Sequence, residues 1–494
     1  MEEGVLRKSK IIQIIHQLAQ KRREEVYLVG GAVRDLRLGR PLGKDFDFVT
    51  KGEVRSLAQD LSQKMDGHAF PLDEGFGTWR VVIKKAKRKT DVDFCTLQGQ
   101  DILEDLRQRD FTVNSLAISL KDIFQPGPPS PIDPLGGQAD LRAKILRANS
   151  EASLVQDPLR MLRAFRLAYI LGLRVEEGTL AMIRRNKNRI LKSAWERIRT
   201  EFFMGLSASR AGEFLRDLYR SGLLEEIFPE VKEWESLDQG AYHDFPLQEH
   251  AFRSVEAAEF VFAHFQDFYP AEAEQLGRHF SLSLEEGIPR KALFKFVAFF
   301  HDSGKPGTRS PGQEGQPVRF LDHDLQGQEI NAAIARRMKL SRKSIRIISD
   351  LTRHHMRILS LAKVKEVTSR ARYRFFRDLG KEGIDMALLA LADGLASRKL
   401  RFDQFLEESL PEDLRRIKEV AKELIRYYFE EFSQKTPAPL LDGREIMEAL
   451  GLPEGRAVGS LLARLQEAEM GGMVGTREEA LDFLKKIDRS RPFG

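Results

Sequence analysis

The sequence has 494 residues, 42% of them hydrophobic and 31% charged. That composition excludes a disordered or collagen-like chain, and the length predicts about two to four domains. There is no apolar run of about 18 residues, the start MEEGVLRKSKIIQ lacks a leader's apolar core, and the single cysteine, Cys95, excludes an internal disulfide. These features predict a cytoplasmic protein with no membrane partner. The net charge of +6, from 80 Lys and Arg against 74 Asp and Glu, does not by itself single out nucleic acid.

In chain order, Ile11, Ile12, Ile15 and Leu18 share one helical face and predict a helix to about residue 25. The β-like runs VYLVG, DFDFVT, TWRVVI, TDVDFCTL and VNSLAISL follow, separated by the helical patterns EVRSLAQDLSQ and DILEDLRQR. They predict an α/β head over residues 1–141. Nearly everything beyond is helical, so the fold class expected is α+β. A basic helical neck spans 142–225, a ligand-rich helical domain 226–434, and a helical tail 435–494 after the break FSQKTPAPLLDG. GTRSPGQEGQPVRF reads as a loop, and KKAKRK at 84–89 as a solvated turn or an RNA guide. Charge is uneven: residues 142–210 hold 15 Lys and Arg against 6 Asp and Glu, a net +9 that leaves −3 for the rest. Such a segment suits a phosphate-backbone ligand, or forms a solvated helix face.

The head carries the first chemical pattern. A strand at Val26–Val29 leads into Gly30 and Gly31 and then a helix. Paired glycines allow close backbone approach, and a helix N-terminus can hold phosphate oxygens. Asp45 and Asp47 lie two apart on a strand, so both carboxylates face one side. Two like charges so close call for a bridging cation, and hard oxygen donors select Mg²⁺. Asp93, on another strand, completes a set suited to phosphoryl transfer with two metals.

The stretches LVGGAVRDLRLG, DFDF, EDLRQRDFTVNSLAI, IDPLGGQADLRAKILR, QDPLRMLRAFRLA and WERIRTEFF, in that order over about residues 26–205, resemble the class II tRNA nucleotidyltransferases, the CCA-adding enzyme and bacterial poly(A) polymerase family. The resemblance implies a nucleotidyltransferase-fold head that adds C, A or both to the 3′ end of tRNA or another RNA, from CTP and ATP. It implies that Gly30 and Gly31 hold the triphosphate with Arg34 nearby, and that Asp45 and Asp47 bind metal. Arg109, Asp110 and Asn114 would contact the sugar and phosphates. Asp157 and Arg160 would face the Watson–Crick edge, where cytosine and adenine share an exocyclic amine. Arg163 and Arg166 would bind phosphate from the same basic helix face. Two departures stand out. Gln156 replaces the family's Glu, and only Leu97–Leu103 fills the place of a flexible loop. In the family, loss of that loop accompanies enzymes that add the two cytidines but not the terminal adenosine.

The helical domain carries a second pattern. His250, the adjacent pair His301 and Asp302, then His323, one of the pair His354–His355 (assigned to His354) and finally Asp393 form a candidate divalent-metal cage. Their order resembles the HD phosphohydrolase superfamily over about residues 245–400. It implies a divalent metal of unspecified identity and hydrolysis of phosphate esters, or a retained fold without activity. Lys305 is placed to bind phosphate. In the tail, GLPEGRAVG suits RNA-backbone contact or a small capping bundle.

Overall fold

The head sheet is built from β1 (Val26–Val29), β2 (Asp45–Thr50), β3 (His68–Asp73), β4 (Thr78–Lys85), β5 (Arg88–Thr96) and β6 (Ala117–Ser119). The spatial order is β3-β4-β5-β2-β1-β6. Within this sheet, among the described residues, only the β2–β5 pair is parallel. The protein's structure is a computed structural model that describes residues 2–73, 77–85, 88–240, 243–310, 318–406, 410–434, 440–470 and 473–488. Parts of the expected loop at 307–320, of KKAKRK and of the break near 435 lie outside the described residues.

Alternation along β2 explains its two faces. Phe46 and Phe48 are buried on one side, and Phe48 stacks on Phe94 of β5 with centroids 5.6 Å apart. Burying each such ring contributes about 1.5–3 kcal/mol. Asp45 and Asp47 are thereby turned to the opposite side. The helix Val54–Met65 packs on the sheet through Val54, Leu57, Ala58, Leu61 and Met65, spaced at three and four. It starts where Glu53 accepts from the Ser56 amide and stops at Asp66, which is left-handed at φ 53°.

Three local expectations change. The N-terminal helix is two, Glu2–Lys8 and Lys10–Arg22, separated at Ser9. β3, absent from the sequence reading, carries Pro71 and is tolerated because it is an edge strand. In VNSLAISL the strand begins only at Ala117, because Thr112–Asn114 winds into a 3₁₀ turn.

The chain forms two compact units. Residues 1–208 and 217–227 make the first, and residues 209–216 and 228–494 the second. In the first, the helix Leu159–Leu171 packs against Trp195–Leu206. The second is helical around Glu382–Ala396, which is buried from Gly383 to Ala396. That helix packs against Leu247–Ala263 and Glu412–Tyr427. The tail helices Gly443–Leu450, Arg456–Met470 and Arg477–Asp488 enclose their own apolar core around Ile446, Leu461, Leu465 and Leu484. No helix of the described residues is long and apolar enough to cross a membrane.

Candidate active site and metal centre

The β1–β2 antiparallel register sets Val29 opposite Asp47, so the Gly30 turn emerges beside that carboxylate. Gly30 adopts φ 69° and ψ −130°, a conformation closed to side-chain-bearing residues. A Cβ there would lie 3.5 Å from an Arg109 guanidinium nitrogen and 3.7 Å from Asp47 Oδ2. The parallel β2–β5 register sets Asp45 opposite Asp91 and Asp47 opposite Asp93. One face of the sheet therefore collects four carboxylates, of which Asp91 was not anticipated.

Their charges are compensated unequally. Arg80 of β4 binds both oxygens of Asp93 at 2.7 Å, and Lys89 reaches Asp91 at 2.9 Å. Among the described residues, neither Asp45 nor Asp47 has a side-chain hydrogen-bonding or ion-pair partner. Loss of hydration pushes the Asp47 carboxyl above its usual range, Asp93 adds to this, and Arg109 opposes it. A crowded, unpaired carboxylate beside a second one is a donor set that a hard divalent cation satisfies.

The remaining nucleotide set splits into groups that face the site and groups that build it. Arg34 donates to Asn114 Oδ1 at 2.7 Å and pairs with Asp35. Arg109 is held by Asp105 at 3.0 Å. Asp110 is buried, and both its oxygens are used internally: one accepts from the Phe111 amide and Asn114, the other from Arg163 at 3.0 Å. Burial alone would raise its carboxyl, but Arg163 and Asn114 outweigh it and hold it below the usual range. Asp110 thus orients both Asn114 and Arg163 from within the fold. Arg166 is buried against Glu201 of the facing helix at 2.5 Å and so ties two helices together. Arg160 donates to the carbonyls of Gln108 and Ser153. Asp157 is gripped at both oxygens by Arg197, at 3.3 and 2.8 Å. Arg197 lies in the quoted WERIRTEFF stretch but was not singled out, because nothing local reveals a partner 40 residues away.

The short connector after β5 is fastened at several points. Asp105 accepts from the Gln98 amide, Glu104 from the Gln100 amide, and Asp101 caps the helix Ile102–Arg107.

In the second unit the ligand-type residues converge into two triads, His250, His301 and Asp393, and Asp302, His323 and His355. Asp302 joins them. Its Oδ2 lies 3.5 Å from His250 and 3.3 Å from His301, and its Oδ1 lies 3.5 Å from both His323 and His355. His354 is not part of the cluster. Successive residues at the end of a helix point about 100° apart, so only one of the pair can face inward, and it is His355. Asp393 Oδ1 and His250 Nδ1 are buried without a hydrogen bond, although Asp393 Oδ1 is 3.1 Å from His250 Nε2. An orphaned carboxylate oxygen among imidazoles is the donor set that a divalent cation fits. Burial opposes a charged His301, but Asp302 and Asp393 outweigh it and raise the imidazole to about 10.

Lys305 is buried, with its ammonium 2.6 Å from Asp302, 2.7 Å from Gln239 and 3.3 Å from His243. His243 was missed in the sequence. Burial, with Lys305 adding, pushes its imidazole down to about 3, so it stays neutral beside His250.

A mixed sheet that presents carboxylates beside a Gly-Gly turn and a helix start defines a head for nucleotidyl transfer. Residues 26–147 match the family described as "Poly A polymerase head domain", and residues 172–235 match "Probable RNA and SrmB- binding site of polymerase A". The chain is 32% identical to the A-adding tRNA nucleotidyltransferase of Deinococcus radiodurans, over 94% of this chain and 96% of that one. It is 33% identical to the CC-adding tRNA nucleotidyltransferase of Thermus thermophilus, over 93% of both. A solved CCA-adding enzyme in complex with ATP shares the fold, with a TM-score of 0.63 at 19% identity over 98% of this chain and 94% of that one. The chain belongs to the class II tRNA nucleotidyltransferase family, as its ordered motifs had implied.

Proposed function

We propose that this enzyme transfers CMP, AMP or both from CTP and ATP to the 3′ end of tRNA without a nucleic-acid template. The observation that carries this reading is the row in which the Gly30 turn, Asp47 and Asp93 meet on one sheet face. Asp45 and Asp47 would hold Mg²⁺, which when bound supplies Lewis-acid activation of the attacking hydroxyl and neutralises phosphate charge. The protein's own groups then do the positioning. Gly30 and Gly31 let the backbone approach the triphosphate, and Arg34 and Arg109 supply cations there. Asp157 accepts from the exocyclic amine of the base, and Arg160 donates to its neighbouring acceptor, selecting C and A over U and G. Arg185, Asn186, Asn188, Arg189 and Lys192 line an open recess of about 310 Å³ on the neck, suited to RNA backbone phosphates.

Two features favour a partial reaction, either CC addition or A addition. The connector at Leu97–Leu103 is short, fastened to Asp105 and Glu104, and ends where its own Asp101 caps the next helix, and the two relatives above are named as A-adding and CC-adding. The deciding experiment supplies CTP and ATP separately to tRNAs ending before, within and after CCA, and sequences the products. Only C on tRNA lacking CCA assigns CC addition. Only A on tRNA ending in CC assigns A addition. No extension of any end defeats the whole proposal.

The two triads around Asp302 support a second activity, metal-dependent hydrolysis of a phosphate ester, in which Lys305, held on Asp302, would supply a cation for the phosphate. A cytoplasmic setting, and a division into head, neck, metal-binding domain and tail at residues 141, 225 and 434, complete the proposal.

A further inference from the structure

Register across the head sheet places Val29, Asp47, Asp93 and Arg80 in one row. Asp93 stands where a third metal-binding carboxylate is expected, yet Arg80 occupies both its oxygens at 2.7 Å. The Asp93 side chain is 14% exposed, and the Arg80 side chain keeps 31% exposure. The guanidinium takes the lone pairs of Asp93 that face it, so a cation chelated by both oxygens on that side must displace Arg80. Without Arg80, Asp93 would stand as an uncompensated like charge opposite Asp47. An incoming triphosphate presents to the guanidinium the same planar pair of acceptors that the carboxylate does.

We propose that Arg80 is a positioning residue that holds Asp93 in reserve and exchanges it for nucleotide phosphate when a divalent cation arrives. No covalent bond changes: one ion pair is traded for two. Cation occupancy at Asp93 is therefore coupled to nucleotide binding, which protects the site from filling without substrate. The inference rests on Asp45 and Asp47 being the metal ligands.

The test measures Mn²⁺ binding to the full chain by electron paramagnetic resonance, with and without CTP. An Asp302→Asn background silences the helical centre. In the Arg80-containing protein, CTP tightens Mn²⁺ binding by about tenfold. Arg80→Gln binds Mn²⁺ that tightly without CTP, and the CTP effect falls below about twofold. Arg80→Lys, with one point charge in place of a fork, keeps about a threefold effect and serves if the Gln variant does not fold. An undiminished CTP effect in either variant overturns the proposal, as does weaker Mn²⁺ binding by Arg80→Gln. If Asp47→Ala binds Mn²⁺ as the parent does, the metal reading of the head fails instead, whatever Arg80 does.

Discussion

Arg197 grips both carboxylate oxygens of Asp157, at 3.3 and 2.8 Å, across two helical segments of the neck. The Arg197 side chain is 55% exposed, so the pair contributes at most about 1 kcal/mol to stability. If Asp157 reads the base as proposed, the pair serves to aim it. Arg197→Ala is expected to unfold within about 1 kcal/mol of the parent. Its preference for CTP or ATP over UTP should fall about tenfold, one lost oriented hydrogen bond's worth. Single-nucleotide incorporation with each triphosphate reads the effect, and unaltered selectivity would show that Asp157 aims itself.

Asp47 costs the fold something at neutral pH, because its carboxyl is pushed up by loss of hydration and by Asp93. A raised acid pKa means that charging the group opposes folding as pH climbs through the ordinary carboxylate range. Asp47→Asn should therefore melt at the same temperature as the parent or higher. Its nucleotide incorporation should drop below about one-hundredth. Calorimetry and a labelled-CMP assay decide, and a variant that loses activity by unfolding would contradict the argument.

The helical centre separates two adjacent histidines. His355→Ala and Asp302→Asn should each lower bound divalent metal, measured by elemental analysis, and abolish any phosphoesterase activity. His354→Ala should leave both near the parent value. The reverse pattern would return the ligand role to His354.

A buried ion cluster in the same domain governs acid tolerance. Asp385 accepts from Arg290 at 2.6 and 2.9 Å and from His279 at 2.8 Å. Burial alone would raise its carboxyl, but Arg290 and His279 outweigh it and hold it below the usual range. A depressed acid stabilises the fold above its unfolded pKa, about 3.9, and that contribution is lost as pH falls through the lower folded value. Asp385→Asn, which strands Arg290 in the core, should cost about 3–5 kcal/mol at pH 7. The penalty should shrink in denaturant titrations toward pH 3 and below, and a constant penalty would argue against the ion cluster.

Much was legible in one dimension because the signals are local. Alternation in DFDFVT put both carboxylates on one face, the Gly-Gly turn after a strand marked a close approach, and ordered motifs identified the family. The order of His and Asp residues marked side chains that the fold brings into one buried cluster. What the string could not carry is register and helix phase. Pairing of β2 with β5 and β5 with β4 decided that Asp91 joins the carboxylate face and that Arg80 closes on Asp93. A helix end decided between His354 and His355. Facing helices turned Arg166 inward to Glu201 and gave Asp157 its partner Arg197. Residue type and short spacing determine which chemistry a chain can perform. The choice of which like residues perform it is made by contacts between distant segments, whose energies depend on separations of a few ångströms that only the folded chain defines.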